Sequence, residues 1–294
     1  MRLVYRRGFN LSRTISKILL YFGLAFFLIY MLGPVYVMLI TSVTPEREQL
    51  AVPPVWFPSN VDISQYMNIL IYADRPENVA ARGFVRSLLN TFLVASGVTF
   101  LSVTLGSLAA YAYARLAMPF REKIIFLLLF TEMLPGVVIA LPLYLTIRQI
   151  GLMDKLITLV ILECSFSLPF TIWILRGYFL SLPRELEDAA MVDGCSRVGA
   201  LFRVVYPLAT PGLFAAAAFA FIGSWNAFFL PLIFTSSAET RTAPLAVSLL
   251  IGRFYVQFGL LAAAGTLASI TPVVLALLFQ RYVLSGLVAG ALKG

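Results

Sequence analysis

The chain has 294 residues, 60% of them hydrophobic and only 12% charged, with a formal net charge of +8. Its mean hydropathy is +0.91, which excludes an ordinary water-soluble domain and points to an integral membrane protein. Histidine is absent, so the commonest general base and metal ligand is missing, and no metal or catalytic site is expected.

Residues 1–17 carry Arg2, Arg6, Arg7, Arg13 and Lys17 with no acid, which places this basic N-terminus in the cytoplasm. The apolar run that follows is too long for the core of a cleaved signal peptide, and no A-x-A-like site follows it. Six spans are expected, at about 18–40, 87–112, 124–147, 156–179, 204–224 and 260–284, each long enough to cross ~30 Å of hydrocarbon. Each must be helical, because a chain in lipid has to satisfy its own backbone hydrogen bonds. The segment 18–294 then forms one all-α membrane domain with both termini in the cytoplasm, and the larger share of Lys and Arg falls on that side. The basic balance is thus an effect of topology and calls for no nucleic acid.

Between the first two spans lies an external loop at about 41–86, rich in proline and ending in a charged patch, 74–86, whose role the sequence does not give. Arg115, Arg121, Glu122 and Lys123 mark a short cytoplasmic turn. Pro135 and Pro142 in span three and Pro169 in span four predict kinks. Cys164 falls in a span and Cys195 in a cytoplasmic loop, so the two are not expected to pair.

The polar stretch from Pro183 to Pro207 interrupts this pattern. Pro183 suits a first helical turn, and Glu185, Glu187 and Asp188 suit the N-terminal end of a helix dipole. Leu186, Ala189, Ala190 and Asp193 recur at i, i+3, i+4 and i+7 and make a small-residue face flanked by charge. Gly194 can end the helix in a left-handed conformation. Ser196 can cap a second helix, with Val198, Leu201, Phe202 and Val205 on one side. A helix, a glycine break and a second helix make a knob suited to docking in a cleft. Beyond it, Ser224–Thr235 is too short to span and contains Pro231, so an external segment at about 225–259 is expected to re-enter or lie along the interface.

This stretch resembles the cytoplasmic docking loop of ABC importer permeases, whose pattern is E-A-A, three residues, G, nine residues, I-x-L-P. Here Asp188-Ala189-Ala190, Gly194, Val204, Tyr206 and Pro207 keep the spacing. Asp replaces Glu, Val replaces Ile, Tyr replaces Leu, and Cys195 stands where Ala is usual. Further segments resemble the maltose-type carbohydrate permeases in order: Met133–Tyr144, Gly151–Asp154, Leu168–Phe179, Trp225-Asn226 with Pro231-Leu232, and the tail Gln280–Gly294. The resemblance implies the six-helix type I importer permease fold with a coupling loop at about 181–207. It also implies an ABC ATPase dimer, a second homologous permease, an extracytoplasmic solute-binding protein and a carbohydrate substrate as partners. No cofactor is expected on this chain, which has no G-x-x-x-x-G-K-[ST] loop; ATP and Mg would sit on the ATPases.

Glu185, Glu187, Asp188, Ala189, Ala190, Asp193, Gly194, Cys195, Arg197 and Pro207 are then the expected coupling residues, and Lys293 in the tail a further ATPase contact. Two acids, Glu132 and Glu163, lie near the bilayer midplane, where a charge must face protein or water. Both are candidates for the substrate path, as are Tyr144, Trp173, Trp225 and Asn226. Three alternatives stay open: the same machine carrying a glycerol phosphate or polyol, a proton-coupled carrier relaying through the two acids, and structural pairing of those acids.

Overall fold

The computed structural model describes residues 11–73, 75, 78, 81–252 and 256–291. Arg2, Arg6, Arg7 and Lys293 lie outside the described residues, as does part of the charged patch at 74–86. In chain order the helices are α1 (Leu11–Val43), α2 (Glu46–Gln49), α3 (Ser64–Leu70), α4 (Phe84–Arg115), α5 (Arg121–Glu132), α6 (Gly136–Gln149) and α7 (Leu156–Ser181). Next come α8 (Glu185–Val192), α9 (Arg197–Ala200), a π turn (Leu201–Val205) and α10 (Tyr206–Leu208). The last four are α11 (Thr210–Trp225), α12 (Phe229–Phe234), α13 (Ala243–Leu249) and α14 (Phe258–Ala291). Among the described residues the only β-pairing is an isolated bridge between Ile251 and Val256.

Among the described residues four helices are long and apolar enough to cross a membrane unbroken: α1, α4, α7 and α14. Spans three and five differ from the sequence reading, because each is a pair of helices bent sharply at a break. The axes of α5 and α6 meet at 88°, and those of the Arg197–Leu208 piece and α11 at 79°. Proline accounts for both. Pro135 has no N–H for the Thr131 carbonyl and disfavours a helical Leu134; the Thr131 carbonyl accepts from Leu134 instead, at 3.2 Å. Pro211 likewise has no N–H for the Pro207 carbonyl, and the Thr210 hydroxyl donates to it at 2.8 Å. Span five therefore begins at Thr210, and residues 204–208 belong to the cytoplasmic side of the bend.

The most extensive packing of any helix pair is between α4 and α7. They approach closely at Gly106, where an added Cβ would meet Thr171 Cγ2 at 2.7 Å, the small-residue contact that lets membrane helices close up. On the cytoplasmic side Tyr111, Ala114, Leu175, Phe179, Leu201 and Val205 form one core, so the chain after Gly194 is packed onto α4 and α7. On the outer side Val94, Val98, Ile147, Leu159 and Phe234 form another, which seats α6 and α12 against the same pair. The 18-residue apolar window of α1 has no buried residue, although the helix leans along α14. That much exposed Leu, Ile and Phe is a surface for lipid or a partner helix.

Candidate functional site

At ~1.5 Å per residue, the 32 residues of α4 measure about 48 Å, more than a ~30 Å hydrocarbon core. Its last turns therefore protrude, and they hold the polar knob. Arg115 Nε donates to Glu187 at 2.7 Å, and both side chains are only 6% exposed. The Tyr111 hydroxyl donates to the other oxygen of the same carboxylate. Arg115 also donates to the Leu182 carbonyl at 3.1 Å, and Arg184 returns a bond to the Ala114 carbonyl at 3.0 Å. Glu187 thus faces inward as the clasp of the knob rather than outward toward a partner.

The rest of the knob projects. Pro183 sits one residue ahead of the α8 N-cap, Arg184, rather than in the first turn, which holds Glu185, Glu187 and Asp188. Gly194 has φ +92°. The Cys195 N–H bonds the Ala190 carbonyl at 3.0 Å and the Gly194 N–H that of Met191 at 3.1 Å, the paired bonds of a glycine-terminated helix. Ser196 then caps α9, its hydroxyl accepting from the Gly199 N–H at 3.1 Å. Asp188, Ala189, Asp193, Gly194, Arg197 and Pro207 are exposed, while Ala190 and Cys195 are half-buried. Of the four apolar positions in the second helix, Leu201 and Val205 are buried, whereas Val198 and Phe202 are more than half exposed. With Val192, which is 87% exposed, they give the knob an outward apolar face rimmed by acids.

The two intramembrane acids come together at a cavity of about 310 Å³. Glu163 is the eighth residue of α7, about 12 Å in from its start. Phe166, Ser167 and Phe170 follow it on the same helical face at i+3, i+4 and i+7. Glu132 ends α5 at the break and joins the lining, and Phe219, Gly223 and Ser224 of α11 complete much of the wall. Glu163 is 6% exposed; one oxygen accepts from the Ser224 hydroxyl, and the other is buried without a partner. Ser167, Ser224, Phe170 and Phe219 were not singled out by the sequence. Ser167 and Phe170 had one sequence signal, their i+4 and i+7 spacing from Glu163; Ser224 and Phe219 had none.

The other path candidates lie elsewhere. Tyr144 packs in the outer core beside Phe234, with ring centroids 6.5 Å apart. Trp225 is 3% exposed, donates to the Ala268 carbonyl at 3.0 Å and stacks on Phe221, so it fastens α11 to α14. Asn226 is exposed and donates to the Ile222 carbonyl at 2.9 Å, closing the end of α11. Trp173 stacks on Phe170 at 5.9 Å, one ring removed from the cavity.

On the outer side Asp154, in the turn before α7, accepts from the N–H groups of Ser236 and Ser237 at 2.9 and 3.1 Å and from the Thr240 hydroxyl. Burial pushes this carboxyl up, but the three donors outweigh burial and hold it well below the usual carboxylate range. Asn90 of α4 donates to the Glu239 and Arg241 carbonyls at 2.7 and 2.9 Å. The segment between α12 and α13 is thereby tied down at both ends. Among the described residues no group of three or more potential metal ligands occurs.

Residues 102–288 match the family described as binding-protein-dependent transport system inner membrane component. The chain is 36% identical over 279 residues to the sulfoquinovosyl glycerol transport system permease protein SmoH of Agrobacterium fabrum, covering 95% of each chain. It is 34% identical over 284 residues to the trehalose/maltose transport system permease protein MalG of Thermococcus litoralis, covering 96% of this chain and 99% of that relative. Its fold is similar to a chain in a bacterial ABC transporter involved in the import of the acidic polysaccharide alginate, with a TM-score of 0.76 at 23% identity over 96% of this chain and 99% of that one.

Proposed function

The chain belongs to the family of binding-protein-dependent transport system inner membrane components, and from that premise we propose that it is a translocation subunit of an ATP-driven carbohydrate importer, coupled to its ATPases through the knob at residues 185–207. A binding protein delivers the solute on the outer face. A second, homologous permease closes the path from the other side. ATP and Mg act on a separate ATPase dimer, and this chain performs no hydrolysis itself.

The observation that carries this reading is the knob's construction. Its inner side is fixed by a buried ion pair to the end of a membrane-crossing helix, and its outer side offers Val192, Val198 and Phe202 among exposed acids. A partner that grips the outer side moves α4 and α7 with it, because the clasp allows little play. Glu185, Asp188, Ala189, Ala190, Asp193, Gly194, Cys195, Arg197 and Pro207 shape or present that surface, and Glu187 transmits its motion. Lys293 adds a contact at the far end of the chain. The relatives favour sugars as the solute class, since their names specify trehalose/maltose in one case and sulfoquinovosyl glycerol in another.

Gly194→Asp tests the coupling role. Its φ of +92° is strained for any residue with a Cβ, while the spans are untouched. The expected result is an inserted permease that retains the second permease but loses its ATPase and its uptake. Photo-crosslinkers at positions 192 and 198 should capture an ATP-hydrolysing subunit in the unmutated complex. A variant that co-purifies with ATPase normally and transports normally sinks the assignment.

A further inference from the structure

We propose that the Glu132–Glu163 cavity is a charge filter, admitting neutral sugars and ammonium-bearing amino sugars and turning away uronates, sulfonates and phosphates, so that this chain differs in solute charge from the relative named for the sulfonate sulfoquinovosyl glycerol. This rests on the proposed role of the chain as a translocation subunit, takes the cavity between α5, α7 and α11 as part of its path, and goes further by naming the class of solute that path accepts.

Four observations converge on it. Glu163 is 6% exposed and one of its carboxyl oxygens is buried with no donor. That acceptor is unmet until a group carrying a hydrogen enters. Glu132 brings a second carboxyl to the same space from a different helix, and among the described residues the lining contains no Lys or Arg to offset the pair. Phe166, Phe170 and Phe219 supply the remaining wall, so the acids act across a medium that screens them poorly. The Ser224 hydroxyl is already committed as a donor to Glu163, which further biases the cavity toward acceptors.

A solute bearing hydroxyls or an ammonium donates to these oxygens, and its C–H face can lie on the rings. An anion meets the two carboxyl groups, with the Ser167 hydroxyl the one side-chain donor left among the described lining residues, and enters readily only once both acids take up protons. Clefts lined by one sign of charge between apolar walls raise the local concentration of the opposite ion by about 10 to 10³, and the same field depletes anions.

The test reads the field directly and needs no knowledge of the natural solute. Ser167→Cys places a thiol in the cavity wall, and Gly223→Cys, where an added Cβ meets nothing within 4 Å, places one on the facing helix should the first variant fail to assemble. The complete complex with its ATPases and second permease is treated with two methanethiosulfonates of similar size, one carrying a trimethylammonium and one a sulfonate. Modification at residue 167 or 223 is followed by mass spectrometry. Each rate is divided by that of the same reagent with a small free thiol in the same buffer.

The expected result is a normalised preference for the cationic reagent of about tenfold or more, falling toward unity in Glu132→Gln/Glu163→Gln and falling with added salt. Equal normalised rates with the acids intact, or a preference that the double Gln variant leaves unchanged, overturn the filter while leaving the path in place. Failure of both thiols to react with either reagent, with or without ATP, overturns the path reading itself and the filter with it.

Discussion

Glu187 shows how a residue's surroundings decide its role. In the sequence it is one of three acids at a helix start. In the structure it is closed over by Arg115 and Tyr111 and excluded from the surface. Removing one partner of a buried ion pair strands the other, at about 3–5 kcal/mol. Glu187→Ala should therefore lower the thermal midpoint of the purified complex and release the ATPase, although residue 187 itself is out of a partner's reach. Replacing both members with apolar residues, Arg115→Met with Glu187→Leu, should recover much of the stability, because no lone charge is left. A double variant as unstable as the single one would show that the clasp contributes more than charge pairing. Cys195 is the contrasting case. It is half-buried at the turn, where any residue able to donate its N–H to Ala190 serves, so Cys195→Ala should leave uptake within about twofold, the scale of ±0.5 kcal/mol typical of such sites.

At the scale of elements, the breaks in spans three and five matter more than the unbroken helices. Pro135 and Pro211 leave carbonyls that cannot be met by a continuing helix, and each break places something useful: Glu132 at the cavity in one case, the knob at the root of α11 in the other. The outer segment between α12 and α13 is held by side-chain bonds rather than by length. Asp154 carries three of them with a depressed pKa, so its contribution is complete above the unfolded carboxylate value of about 4 and is lost only as pH falls below it, toward the folded value. Hydrogen exchange at the Ser236 and Ser237 amides should stay slow from pH 7 down to about pH 4. In Asp154→Ala both amides should exchange faster at neutral pH, and protection that survives the substitution would place the restraint elsewhere, with Asn90 the first alternative.

For the whole molecule, the exposed apolar length of α1 is the surface of one part of a larger assembly. On the proposed coupling role of the knob, the chain depends on an external source of work. Uptake by the intact system should persist when a protonophore collapses the proton gradient and ATP is kept constant, and should stop when ATP is withdrawn. The opposite pattern would make Glu132 and Glu163 a proton relay, and the knob would have no energetic role.

Hydropathy and the 183–207 spacing were sufficient to read the membrane class, the helical architecture and the helix–glycine–helix shape of the knob, because lipid forces each apolar run to satisfy its own backbone and a glycine followed by a capping serine is a local signal. The position of Glu163 along its unbroken helix was legible from rise per residue, whereas Glu132, expected within a continuous span, ends α5 at the break. What the sequence did not contain was direction around the helix axis. Whether Trp225 turned to α14 or to the path, whether Glu187 faced a partner or Arg115, and which serines and phenylalanines stood beside Glu163 were settled only when helices distant in sequence packed together. Contacts such as Arg115 with Glu187 and Ser224 with Glu163 join residues more than sixty positions apart, and no periodicity within either helix records which neighbour the other will supply.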